Sequence, residues 1–495
     1  MSDATQPAGN SQPQFRKELT LFDCTMIVVG SMIGSGIFIV SADIARTVGG
    51  GGWLLVVWLI SGLMTMAAAL TFGELAAMMP KAGGQYVFLR EAWGALPGFL
   101  YGWTLFMVIQ CGSIAAVAVA FAKFTSVLIP WFSEKDVLVT VAGLNISAAQ
   151  LLAIASIVLL TWVNLRGLRQ GKLVQNLFTS TKAIALLGLI VVVLVAGKAG
   201  TIASDNVSSA WSASWTRVAE DGVSTTREPV TGLMLLVALG VSMVGSLFAS
   251  DSWNDVTYAA AEVKRPQRDI PLSLALGTGT VTLLYLLANV AYLSVLPAVG
   301  HPDAADVVGR GVQFATNDRV GTAAVSAIFG TGAEVAMALL VMISTFGCNN
   351  GLILSGARVY YAMACDGLFF ARAGQLNRNA VPGAALVMQG VWASLLCLSG
   401  RYGDLLDYVI FAALLFGMAT VGAVFALRIK RPEMERPYRT WGYPFVPAFY
   451  IIFAAAVSFD LLLFKPSYTW PGLLIVLLGV PVYFAWRAVK HRAAA

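Results

Sequence analysis

Charge is scarce in this chain: 12% of its 495 residues are charged, against 58% that are hydrophobic. A soluble domain carries roughly 25% charged residues, so several water-soluble domains in a row are excluded. Histidine is almost missing, with only two in the sequence. No Cys/His spacing suits a metal, and no catalytic histidine falls at membrane depth, which argues against an integral-membrane enzyme. The five cysteines (Cys24, Cys111, Cys348, Cys365, Cys397) lie in or beside apolar segments, so no loop-stapling disulfide framework is visible. The opening MSDATQPAGNSQPQ has no basic stretch or cleavage site, and reads as a disordered cytoplasmic tail, not a signal peptide.

What is abundant is long apolar sequence, with a mean hydropathy of +0.76. A hydrocarbon core takes about 20 apolar helical residues to cross. Twelve stretches qualify: 21–45, 53–79, 94–130, 147–165, 173–197, 231–261, 271–296, 332–363, 383–399, 404–427, 445–464 and 470–488. These are continuous apolar runs, which excludes a barrel of alternating strands. The expected class is an all-α membrane protein: a tail at 1–17, one transmembrane domain at 18–488, and a tail at 489–495. Most of the 32 basic residues fall on one side of these spans, so the positive-inside rule puts both termini in the cytoplasm. It also accounts for the +6 net charge without nucleic acid. The longest polar segments, 198–230 and 297–331, then lie outside, the second with helix-like pieces near 303–327 that would cap an external vestibule.

Two spans carry polar breaks. Span 1 contains VVGSMIGSGIF (28–38), where Gly30, Gly34 and Gly36 interleave with Ser31 and Ser35. Glycine costs a helix interior up to about 1 kcal/mol. Such a segment serves either as a packing face or as an unwound site whose N–H groups surround a carboxylate. Span 6 has Asp251, Asn254 and Asp255 at its centre. Charge at mid-bilayer costs at least ~2.5 kcal/mol, so this span implies a water-accessible cavity or a broken helix. Spans 1–5 and 6–10 therefore form halves of opposite topology, each opened by an interrupted helix. That pattern points to an inverted-repeat transporter with a midplane site fitting a zwitterion. No pore loop or charge ring suggests a channel.

The residues then match a family. GSMIGSGIF (30–38), ELAAMMPKAGGQYVFLREAWG (74–94), FASDSWNDVTYAAAEVKRPQRDIP (248–271), GCNNGLILSGARVYYAMACDG (347–367) and RPYRTWGYPFVP (436–447) resemble blocks of the amino acid–polyamine–organocation superfamily. Within it, the resemblance is to the L-type amino acid transporter branch and its bacterial members. It implies a leucine-transporter-like five-plus-five inverted repeat carrying amino acids by alternating access, without a cofactor, in a cytoplasmic membrane. It also implies that Gly34, Ser35 and Gly36 present N–H groups to the substrate carboxylate. Carbonyls of Met32, Phe248, Ala249 and Asp251 would take its ammonium, with Ile33 in the same break. Phe248 and Trp253 would gate the site, and Asn254 would shape the side-chain pocket. Asp251 either favours cationic substrates, as in a cationic amino acid or polyamine antiporter, or supports the break.

Lys182 sits about nine residues into span 5, roughly 13 Å along it, where a cation needs partners. In this family a lysine at that point takes the place of a sodium ion and bridges span 1 to span 8. Resemblance thus implies sodium-independent exchange; a water-lined lysine or proton coupling stays open. Glu74, Glu91, Glu262, Lys264, Arg265 and Arg268 form either a solvated inner surface or a set of inner-gate ion pairs. The sequence departs from the family at Ser252, where relatives commonly have glycine. Human L-type transporters bond a single-span partner through a cysteine between spans 3 and 4. Segment 131–146 has none, so no disulfide-linked heavy subunit is expected.

Overall fold

The structure, a computed structural model, describes residues 15–133, 136–141, 144–197, 200–218, 224–330, 332–399 and 402–494. Expectations for residues 1–14 lie outside the described part. Among the described residues, ten helices are long and apolar enough to cross a membrane: the span-1 helix at Leu21–Ile39, Gly51–Met78, Ala95–Leu128, Ala148–Leu165, Leu168–Ala196, Pro266–Val295, Ala333–Cys365, Val409–Lys430, Phe445–Phe464 and Thr469–Ala488. Two shorter apolar helices, Leu233–Ala249 and Gly383–Ser399, fill places six and nine in the expected order. The protein is a multi-pass membrane protein.

The helices outrun the apolar runs at their polar ends. Span 5 starts at Leu168 and span 7 at Pro266. A helix leaving the hydrocarbon keeps its own hydrogen bonds and needs no apolar side chains to persist. Span 1 opens on a capping box in which the Thr20 side chain and Asp23 satisfy each other's backbone N–H. Ser147 and Gln150 do the same for span 4.

Spans 1 and 3 are the axis of the bundle: 83% of each apolar window is buried, against 28% for span 12. Spans 2 and 7, equivalent members of the two halves, pack along each other. Their approach is close where a Cβ on Gly62 would strike Thr282, and where Gly279 faces Met66. Small residues set helix spacing here because lipid supplies no hydrophobic drive between helices.

The long segment after span 7 contains the short helices Val307–Arg310 and Val320–Phe329. It seats on the far end of span 1. Arg46 donates to the Gln313 carbonyl at 2.7 Å and to Asp318 at 2.7 Å, and Gln313 returns a bond to the Ala45 carbonyl at 2.9 Å. At the opposite end, residues 18–19 pair with the chain leaving span 6. Glu18 and Leu19 donate to the Glu262 carbonyl, and Lys264 donates to that of Leu19.

Candidate functional site

Both breaks are present in the backbone. Span 1 runs as helix over Leu21–Met32 and leaves it at Ile33 (φ −75°, ψ 92°). It resumes at Gly36–Ile39 and continues through Val40 into Ser41–Val48. Gly34 and Gly36 are tight positions: a Cβ would press on Cys348 Sγ at 3.2 Å in the first case and on Ala249 in the second. Span 6 runs over Leu233–Ala249 and resumes at Asp255–Tyr258. Its turn passes through Ser252 at φ 65°, the left-handed region that favours glycine.

The carbonyls of the span-1 break do not face lipid unpaired. Lys182 Nζ donates to Gly30 at 2.5 Å, to Ile33 at 2.6 Å and to Ser344 of span 8 at 3.3 Å. Ser344 Oγ bonds Ile33 at 3.2 Å and Gly34 at 3.1 Å. Cys348 Sγ lies 3.0 Å from the Ser31 carbonyl. The Tyr285 hydroxyl of span 7 reaches Met32 at 2.9 Å and Ala249 at 3.0 Å, linking the two breaks. Five consecutive carbonyls, 30 to 34, are thus held by side chains of spans 5, 7 and 8. Buried carbonyls without partners cost roughly 1–3 kcal/mol each, so these contacts let the helix stay open.

Between the breaks lies a cavity of ≈ 20 Å³, lined by Ser31, Met32, Gly34, Ser35 and Gly36 of span 1 and by Phe248, Ala249 and Ser252 of span 6. Spans 3 and 8 add Ser113, Val117, Cys348 and Leu352. The Ser31 and Ser113 hydroxyls, both buried, have no hydrogen-bond partner among the described residues. Buried polar atoms are otherwise almost always paired, so two orphan hydroxyls on one cavity mark a place for a polar ligand.

A second, polar chamber of ≈ 60 Å³ lies against the span-6 break, and Ser252 belongs to the walls of both cavities. Asp251, Trp253 and Asn254 line this chamber and not the first. Asn254 Nδ2 donates to Gln85 at 2.8 Å and to the Tyr258 hydroxyl at 3.1 Å. Trp253 packs edge-on to Phe72 at 4.8 Å. Asp255 accepts from Ser355 at 2.5 Å and Gln110 at 3.2 Å. Of the residues singled out in the sequence, Met32, Gly34, Ser35, Gly36, Phe248 and Ala249 therefore meet at one cavity. Ile33 turns its carbonyl to Lys182 and Ser344 instead.

Three acidic residues on the residues-18–19 side have ion-pair partners from unexpected places. Glu262 pairs with Arg358 of span 8 at 3.0 Å, both 1% exposed. Glu74 takes Arg428 at 2.7 Å and the Thr440 N–H at 2.7 Å. Glu91 pairs with Arg90 and Arg431. Lys264, Arg265 and Arg268 have no ion pair among the described residues; the acids pair instead with Arg358 of span 8, Arg428 of span 10, and Arg90 and Arg431 outside the spans.

With this geometry, the sequence model of the amino acid permease family matches residues 19–482. The chain belongs to the amino acid permease family. Among its relatives, the large neutral amino acids transporter small subunit 2 of Homo sapiens is 30% identical over 494 residues, covering 99% of this chain and 84% of that protein. The b(0,+)-type amino acid transporter 1 of Mus musculus is 28% identical over 477 residues, covering 95% and 88%. As a family member, this permease keeps the two broken spans but adds contacts that reading the sequence did not anticipate. Tyr285, Ser344 and Ser113 went unnoticed as single polar residues in apolar spans. Gln175 and Thr179, which donate to the Met26 carbonyl of span 1 at 3.4 and 3.3 Å, were findable with Lys182 as a set, since spacings of four and three place them on one face of span 5.

Proposed function

We propose that this permease is a sodium-independent amino acid exchanger. The observation that carries the reading is the seat of Lys182: one cation holds two carbonyls of the span-1 break and one of span 8, where the family resemblance gives a lysine in place of a sodium ion. The substrate carboxylate meets the backbone of Gly34, Ser35 and Gly36, at the start of the resumed helix, where the helix dipole favours an anion. Its ammonium meets the carbonyls of Met32 and Ala249, sharing them with Tyr285. Phe248 closes over it. The ≈ 20 Å³ cavity has room for about one water, so spans 1 and 6 must part to admit an amino acid. The arginine-paired acids beyond the break are the contacts that yield when that side opens. By the distribution of lysine and arginine, that side is cytoplasmic, with both termini inside, in a cytoplasmic membrane.

Asp251 favours a second reading within the same chemistry. Its carboxylate lines the polar chamber beside the substrate cavity, with Ser252 between, and suits the cationic end of a long side chain. The protein works without a disulfide-linked partner in this reading, because four of the five cysteines are buried and the exposed one, Cys365, ends span 8.

Purified protein in liposomes tests the proposal. Uptake of labelled amino acid that requires internal amino acid and ignores sodium and pH gradients is expected. Uptake into empty vesicles driven by a pH gradient refutes exchange, and sodium-driven uptake refutes the role of Lys182.

A further inference from the structure

A large apolar groove lies away from both cavities. It has a volume of ≈ 600 Å³, with span 2 and span 7 as walls and the short helix Thr201–Ser208 as its roof. The roof is fastened down. Asn206 donates to the carbonyls of Leu293 and Leu296 at 2.7 and 2.9 Å and accepts from the Ala298 N–H at 2.8 Å. Gly50 and Gly52 sit directly beneath, bonding the carbonyls of Ser212 and Ala210, where any Cβ would strike backbone.

The lining selects its occupant. Leu59, Leu286, Val290 and Val207 present hydrocarbon. The polar side chains there are already used: Asn206 as above, and Ser294 by the Ala291 carbonyl at 2.7 Å. A ligand with polar atoms inside the groove would leave them unpaired, at a cost of several kcal/mol in a lipid setting. The walls continue into lipid-facing surface, with Leu63 and Leu283 exposed just along the same two spans. At the mouth, Trp53 donates to the Trp211 carbonyl and the two rings pack edge-on at 5.3 Å; tryptophan is enriched at the level of lipid headgroups.

We propose that this groove binds one acyl chain of a membrane phospholipid, and that the chain braces the helix breaks from behind. Three wall residues, Leu59, Leu286 and Val290, are each the sequence neighbour of a residue in the network on the inner side. Leu59 follows Trp58, whose indole donates to Ser41 Oγ at 3.2 Å. Ser41 in turn donates to Asn289 at 2.6 Å, which precedes Val290. Asn289 donates to the Tyr285 carbonyl at 2.8 Å, and Tyr285 precedes Leu286. Trp58 also packs edge-on to the Tyr285 ring at 5.3 Å. A chain lodged in the groove thus backs the helix faces that aim Tyr285 at Met32 and Ala249, and an empty groove lets those faces relax.

The test uses the full protein in vesicles containing a phosphatidylethanolamine with a diazirine in its acyl chain. Groove adducts are expected on residues 53–59 of span 2 and 286–294 of span 7, and bulk-lipid adducts on Leu63, Leu283 and span 12. Leu59→Trp with Val290→Trp fills the groove, and Ala203→Trp fills it independently from the roof. Both are expected to lose the groove adducts while keeping the bulk-lipid ones, and to exchange amino acid more slowly than Leu63→Trp, which lies outside the groove. Groove adducts that survive both fillings overturn the site. Loss of adducts with wild-type exchange in both filled variants overturns the bracing of the breaks.

Discussion

Lys182 and Ser344 share a single acceptor, the Ile33 carbonyl, and this sharing makes a sharp prediction. Lys182→Met removes the donor to Gly30 and one of the two donors to Ile33; Ser344→Ala removes the donor to Gly34 and the other donor to Ile33. Each single variant leaves Ile33 one partner, and only the double leaves it none. The single effects are not diagnostic, because deleting a buried ammonium also removes its desolvation cost and can come out near neutral. The coupling is. An orphaned buried carbonyl costs about 1–3 kcal/mol, so the double variant should be less stable than the sum of the singles by that amount. Unfolding by SDS in mixed micelles measures the four corners of the cycle. Additivity within ~0.3–0.5 kcal/mol, the usual result for independent sites, would refute the shared clamp.

Tyr285→Phe strips the hydroxyl that joins the breaks at Met32 and Ala249; apparent affinity for exchanged amino acid should weaken by about fivefold or more, as for loss of ~1–3 kcal/mol, and an unchanged KM in proteoliposomes would deny it that role. Ser252→Gly relieves a left-handed residue worth ~1–2 kcal/mol while adding glycine's ~0.5–1 kcal/mol of chain entropy, so thermal stability should rise modestly; a fall would show that the Ser252 side chain holds the turn. Asp251→Asn should reduce exchange of lysine or arginine about tenfold or more, the loss of a charge-assisted bond, and spare leucine; equal loss for both would reduce Asp251 to a support of the break. Burial pushes the Glu91 carboxyl up, but hydrogen bonds and charge from Arg90 and Arg431 outweigh it and hold its pKa below the usual value. That lowered pKa contributes stability above the ordinary glutamate range near ~4.3 which is lost as pH falls through the folded value. The thermal midpoint of Glu91→Gln should therefore fall less steeply on the acid side than that of the wild type, and parallel curves would contradict the pairing.

The architecture was legible because lipid enforces it. A bilayer converts apolar length directly into helices, and the glycine and polar residues at 30–36 and 250–255 stood out at that depth, although close packing was an alternative for the first. What stayed hidden was what holds the breaks. A lone tyrosine or serine in an apolar span looks the same whether it bonds its own preceding turn, as Thr278 does to Leu274, or crosses to another helix, as Tyr285 does. Arg358 was visible as a charge, but its partner, Glu262, lies 96 positions away, and no periodicity within one helix reports such a pair. The split of Asp251 and Asn254 from Gly34 was likewise invisible, because a turn at Ser252 decides which side of span 6 each side chain faces.

The distribution of partners around the span-1 break explains why one short segment serves for both fold and recognition. Its carbonyl side is engaged at every residue from Gly30 to Gly34 by the protein's own donors. The side that resumes the helix at Gly36 is where donors lack intrahelical acceptors, and it opens on a cavity bearing two orphan hydroxyls. An anionic group therefore finds a pole already set out for it, whereas an ammonium must share acceptors that Tyr285 holds. It follows that truncating the carboxylate of a substrate should abolish binding, while blocking its ammonium should weaken binding more in Tyr285→Phe than in the wild type, because the ammonium there has the Met32 and Ala249 carbonyls to itself.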